Sequence, residues 1–98
     1  MIALALALAL QVSDPGEQDI ARFGPLPREV TAFIDRRIGC NHFAGEFNGD
    51  RSERDREVAK AMRELRCNRL EADEARLARR HAKSPTVLKA LTETRDWQ

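Results

Sequence analysis

The sequence has no tyrosine, one tryptophan and four phenylalanines among its 98 residues. So thin an aromatic complement argues against the stacking platforms on which proteins hold unpaired bases. Charge of one sign is lacking as well, since 17 Lys and Arg stand against 16 Asp and Glu for a net charge of +1. The balance shifts along the chain, from −3 over residues 1–50 to +4 over residues 51–83. Even in the basic stretch, acids interleave with cations at helical spacing, as in Glu53, Glu57, Lys60 and Glu64. That pattern describes a solvated helix face, not a phosphate-binding stripe. No nucleic-acid partner is expected.

Long apolar runs are missing too. A bilayer-spanning helix needs about 20 apolar residues, and the longest run here covers only residues 2–10. No stable membrane span is expected. Internal repeats, convincing strands, an oxyanion-cradling glycine loop and a standard metal motif are all lacking. Ser13, Ser52 and Ser84 sit at turn or cap positions, so none reads as an activated nucleophile. Asn48-Gly49-Asp50-Arg51-Ser52-Glu53 has the flavour of a calcium loop. It lacks the alternating oxygens and the glycine at the sixth position that calcium requires.

What is present begins with the alternating Ala-Leu run of residues 2–10. Its length matches the apolar core of an export signal, and Ala7-Leu8-Ala9 offers a small-x-small cleavage pattern. The charged leader region is missing, which suits a start inside a longer signal peptide; the plainer reading is an N-terminal apolar helix. Residues 11–24 form a polar lead-in with a turn signal at Asp14-Pro15-Gly16. Helical periodicity then predicts an all-α domain over residues 25–93, followed by a weakly specified tail over residues 94–98. Its three main helices are expected at about 27–39, 51–66 and 69–82, with a short fourth at 85–93.

The signals behind those boundaries are local. Pro27 suits a first helical turn, where its missing N–H had no partner anyway. Val30, Phe33, Ile34 and Ile38 make one apolar stripe, and Gly39 predicts a stop. Val58, Ala61, Met62 and Leu65 form the buried face of the second helix. Asn68 with Glu71 reads as a capping box, and Ser84-Pro85 as the cap and first position of the last helix. The second and third helices, separated by Cys67-Asn68 alone, are expected to pack antiparallel.

The richest chemistry lies in Cys40-Asn-His-Phe-Ala-Gly-Glu46. The chain's two cysteines, Cys40 and Cys67, together with the export signal, favour one disulfide, which oxidising compartments allow. Closing that loop stabilises a small domain by roughly 3 kcal/mol in the chain-entropy model. With the first helix ending near Gly39, the bond requires residues 41–49 to run along the second helix, carrying Phe43 and Phe47 into the core. The competing arrangement is a zinc site from Cys40, His42, Cys67 and His81, which has the ligand types but not the spacing. His42 and Glu46, four apart, could act as an imidazole oriented by a carboxylate. The plainer reading makes them a local hydrogen bond and a salt bridge, and His81 a hydrogen-bonded helix-face histidine.

Together with Leu65-Arg-Cys-Asn68 and Ser84-Pro-Thr-Val-Leu-Lys-Ala-Leu91, this segment resembles a group of small exported proteobacterial proteins of uncharacterised function. In that group a Cys-x-His-Phe-x-Gly-Glu segment precedes a helix, a second cysteine and a Pro-x-Val-Leu-x-Ala-Leu ending. The likeness covers about residues 28–92. It implies a helical fold and a periplasmic or secreted location, and brings no activity, cofactor or catalytic residue.

Two functions follow as expectations. The first is a non-catalytic periplasmic module that binds a protein partner through His42, Phe43, Glu46 and the arginine-bearing helix faces. The second is a small hydrolase or metal-dependent enzyme built on His42 and Glu46, with His81 beside them. Distance separates the two, because the enzyme needs all three side chains at one pocket.

Overall fold

A computed structural model describes residues 18–98. The Ala-Leu run and its export-signal reading lie outside the described residues. Four helices follow: α1 (Arg28–Glu46), α2 (Glu53–Glu64), α3 (Leu70–Arg80) and α4 (Pro85–Glu93). Single 3-10 turns at Ile20–Phe23 and Cys67–Arg69 complete the regular structure, and no strand occurs among the described residues. The domain is all-α, with three main helices and a short last one.

Helix α1 corrects the expectation of a stop at Gly39, for it continues seven residues further. Gly39 is a point of close approach and not a cap. A Cβ there would sit 3.2 Å from Cδ1 of Leu65 on the returning chain. The real stop is Phe47, in extended backbone, followed by Gly49 at φ 75°, where a glycine is favoured. Residues 40–46 are therefore the last two turns of α1, so what lies alongside α2 is helix and not the expected loop. Phe43 is half-buried and Phe47 is 49% exposed, so the expected core anchors are peripheral.

Helix α2 folds back along these last turns. Arg54 near its start reaches Glu46, while Leu65 past its end covers Gly39. Ser52 caps it by accepting from the Asp55 N–H at 3.1 Å. Residues in left-handed backbone, Arg51 (φ 60°) and Arg66 (φ 55°), trim it at both ends relative to the expected 51–66. The turn at Arg66 also redirects the chain, so α2 packs on α1 and not against α3 as expected. The capping box at Asn68 is not formed; a 3-10 turn leads into α3, whose cap residue is Arg69. Helix α4 spans the expected residues, with the Ser84 hydroxyl accepting from the Val87 N–H at 3.2 Å.

The core gathers Val30, Phe33 and Ile34 of α1, Leu77 of α3, Val87, Ala90 and Leu91 of α4, and Trp97 of the tail. Burying a side chain of this kind contributes about 1.5–3 kcal/mol. Trp97 is only 8% exposed because Asn41 holds the tail: its Nδ2 donates to the carbonyls of Arg95 (2.9 Å) and Trp97 (2.7 Å). Phe23 meets the Trp97 ring at a 6.0 Å centroid distance. No residue of α2 belongs to this core; its buried side chains are Asp55 and Val58 alone.

Candidate functional site

Cys40 lies two turns before the end of α1, and Cys67 lies just beyond the end of α2. Because the two helices run antiparallel, their cysteines meet with Cα atoms 5.6 Å apart and form a disulfide. Both sulfurs are thereby consumed, so neither is available as a thiolate ligand and the Cys40, His42, Cys67 and His81 zinc set is not assembled. His42 and Glu46, one turn apart on α1, do meet, at 3.1 Å between Nε2 and Oε2. Glu46 is shared with Arg54, and the His42 ring stands edge-on to Phe43 at 5.4 Å. The His42 side chain is 57% exposed.

His81 sits elsewhere. It caps the end of α3, where its Nε2 lies 2.7 Å from Glu29 in the first turn of α1. Arg80 binds the other oxygen of Glu29, also at 2.7 Å. The His81 hydrogen bond holds the Glu29 carboxyl below its usual range. Thirteen residues of α1 separate Glu29 from His42, about 20 Å along a helix axis. The constellation His42, Glu46 and His81 is not one site.

An arginine that the sequence did not single out is among the most buried polar residues. Arg37 is nearly fully buried in α1. Its Nη1 donates to the Leu91 carbonyl (2.7 Å) and the Thr94 hydroxyl (2.8 Å), its Nη2 donates to Glu74, and its guanidinium covers the Phe33 ring at 4.6 Å. Glu74 also receives Arg95, at 2.6 Å from Nη2. Burial pushes the Glu74 carboxyl up, but hydrogen bonds from Arg95 and the charge of Arg37 outweigh it, leaving the group below its usual range. Burial likewise lowers Arg37, with Glu74 opposing the shift. Arg37, Asn41, Leu70, Glu71, Glu74 and Arg95 line a cleft of about 460 Å³. Its guanidiniums and the Glu74 carboxylate satisfy one another, so the arrangement cross-links α1, α3 and the tail.

Arg37 was legible in principle. It stands three residues after Ile34 and three before Cys40, on the same buried stripe. Alongside it, Arg36 donates to Asp73 at 2.6 Å, which holds the Asp73 carboxyl below its usual range.

The end of the α2 arm differs. Arg63, Arg66 and Arg69 form no salt bridge among the described residues, although the charge of Arg63 adds to the Lys60 hydrogen bond that lowers the Glu64 carboxyl. They flank Cys67, which with Met62, Arg63 and Asn68 lines a largely apolar depression of about 340 Å³. Arg66 holds a left-handed conformation that a side chain adopts at a cost of roughly 1–2 kcal/mol. Fold and surface together define a small all-α domain with a disulfide-stapled lateral arm and a cluster of arginines at the tip of α2, where the arm joins the body. No family model, curated protein or solved structure matches this chain.

Proposed function

We propose that the protein is an exported, non-catalytic interaction module that binds a protein partner through an acidic segment of that partner. The observation that carries this reading is the tip of helix α2, where the arm rejoins the body and Arg63, Arg66 and Arg69 form no salt bridge among the described residues. Most exposed arginines elsewhere are neutralised, including Arg22 by Glu93, Arg76 by Asp73, Arg80 by Glu29 and Arg95 by Glu74. A second end, at Arg28, Arg79 and Lys83, also lacks salt bridges, and Arg79 and Lys83 line a depression of about 380 Å³. No arginine there holds left-handed backbone, however, and no cysteine lines it. Guanidiniums are suited to carboxylates because their planar fork donates two parallel hydrogen bonds. His42 and Phe43 sit on the last turns of α1 beside Glu46, which Arg54 reaches from the start of α2, about 13 Å along that helix from Arg63. Export is supported by the disulfide, since such bonds persist in oxidising compartments.

The test is a cross-linking pull-down from periplasmic extract, followed by titration of the purified partner. An Arg63→Glu, Arg69→Glu double variant should bind at least tenfold more weakly, and wild-type binding should weaken with salt. His42→Ala should have a smaller effect. Equal affinity of wild type and the charge-reversed variant would sink the reading.

A further inference from the structure

The two sulfurs of the disulfide are not equally reachable. Cys40 is 2% exposed, whereas Cys67 is half-buried and lines the depression beside Met62, Arg63 and Asn68. Three arginines that form no salt bridge among the described residues flank Cys67 in sequence, at positions 63, 66 and 69, and Arg63 lines the depression itself. Glu71, the next carboxylate along, lines the opposite cleft with Arg37 and Glu74, and Glu64 is occupied by Lys60. Positive charge beside Cys67 concentrates anionic reactants at that sulfur, and it stabilises Cys67 as the departing thiolate when the mixed disulfide is resolved. The bond, moreover, fastens an arm that contributes nothing to the hydrophobic core, so opening it leaves that core in place.

From this we infer that Cys40 and Cys67 form an exchange disulfide whose entry point is Cys67 and whose reactant is a carboxylate-bearing thiol. The thiolate of that reactant attacks Cys67 Sγ, its electron pair forming the new sulfur–sulfur bond. The bond to Cys40 breaks, and Cys40 leaves as a thiolate that takes a proton from solvent. A second thiolate then attacks the reactant's own sulfur in the mixed disulfide, releasing Cys67 as a thiolate. The sum is one protein disulfide reduced to two thiols and two external thiols oxidised to one disulfide. Met62 supplies an apolar wall for the reactant's carbon chain, while Arg63 and its neighbours take its carboxylates. Because the acidic-partner reading needs no covalent step, failure here leaves that reading standing.

The experiment follows the oxidised full chain in three thiols: glutathione (anionic), 2-mercaptoethanol (neutral) and cysteamine (cationic). Rates are divided by the thiolate concentration of each. Glutathione should lead 2-mercaptoethanol by at least tenfold, with cysteamine slowest. The lead should collapse in 0.5 M salt and in an Arg63→Gln, Arg69→Gln variant, whose changes are on the surface and leave helical circular dichroism unaltered. In single-cysteine variants treated with oxidised glutathione, Cys67 in Cys40→Ser should couple at least tenfold faster than Cys40 in Cys67→Ser. The proposal is overturned by no exchange without denaturant, by faster coupling at Cys40, or by equal corrected rates for the three thiols. If a cysteine-containing acidic peptide reacts much faster than glutathione at equal thiolate, the reactant is a protein thiol; the reverse ranking makes it a small molecule.

Discussion

The body formed by α1, α3, α4 and the tail and the arm formed by α2 on the last turns of α1 are held together by different chemistry. The body closes on eight buried apolar side chains and on carboxylate–guanidinium pairs at Glu29, Asp73 and Glu74. The arm has Val58, the Asp55 carboxylate and a covalent bond. Asp55, almost fully buried, accepts from the backbone N–H groups of Asn48 (2.9 Å) and Asp50 (2.8 Å) and so pins the turn into α2. A region with little apolar burial needs its chain entropy reduced by other means. The two regions should therefore fail under different insults.

Cutting into the body gives the largest effect. Phe33→Ala removes a core ring and the surface on which Arg37 rests, and should cost about 3–5 kcal/mol in urea unfolding. Val58→Ala, the matching cut in the arm, should cost about 2 kcal/mol. Its hydrogen exchange should quicken in residues 53–64 and not in α4. Equal costs, or quickening spread over both regions, would show one cooperative unit and break the contrast.

Removing the disulfide with Cys40→Ser and Cys67→Ser should cost about 3 kcal/mol. Exchange protection should fall first in α2, while the indole of Trp97 keeps its buried fluorescence. Loss of that fluorescence signal together with α2 protection would place the staple in the body's own stability.

These contrasts also show how far the sequence could be read. Helix α4 was legible to the residue, because Ser84-Pro85 is a strong local start signal and Val87, Leu88 and Leu91 keep helical spacing, although the structure buries Ala90 with Val87 and Leu91 in place of Leu88. The disulfide was legible because only two thiols exist. The end of α1 was not, because a glycine reads alike whether it relieves a turn or admits a neighbour. Only Leu65, 26 residues away, decides which role Gly39 plays. The partners of Arg37 were hidden for the same reason, since Glu74, Leu91 and Thr94 lie on other elements, although its place on the buried stripe of α1 was readable. For the candidate site, the pairing of His42 with Glu46 is a one-turn relation and was visible. The separation of His81 and the bare arginines around Cys67 depend on the path of α2 and were not.

Acid should act on both regions, because Asp50 beside α2 and Glu64 on it are lowered by hydrogen bonds from Ser52 and Lys60. The lowered carboxyls that pair across separate helices, however, are in the body. Glu29, Asp73 and Glu74 all have carboxyls held below their usual range. For a lowered carboxyl the stabilisation is present above the unfolded-state value and is lost as pH falls through the folded one. Stability should therefore hold from neutrality to about pH 5 and decline below about pH 4. Asp73→Asn should flatten that decline by removing one of the three groups. In the oxidised protein the cysteine pair survives acid, so α1 and α3 should separate while the arm keeps its link. A transition unchanged by Asp73→Asn would argue that these pairs contribute little beyond solvated charge.

The smallest effect tests the arm's tip most directly. Arg51 and Arg66 both occupy left-handed backbone, where glycine is less strained. Replacing either with glycine removes that strain but adds freedom to the unfolded chain, so each variant should gain about 0.5–1 kcal/mol. Stability alone then cannot distinguish the two positions, and their surroundings must. Arg51 stands at the start of α2, where its carbonyl accepts from Arg56 and acids at Asp50 and Glu53 flank it. Arg66 stands beside Cys67, between two other arginines that form no salt bridge among the described residues. If the tip works through charge, Arg66→Gly should stabilise the fold and yet slow glutathione exchange severalfold. Arg51→Gly should stabilise it and leave exchange unchanged. Matching behaviour of the two variants would reduce Arg66 to a strained helix end, and the distinction between body and working arm would rest on packing alone.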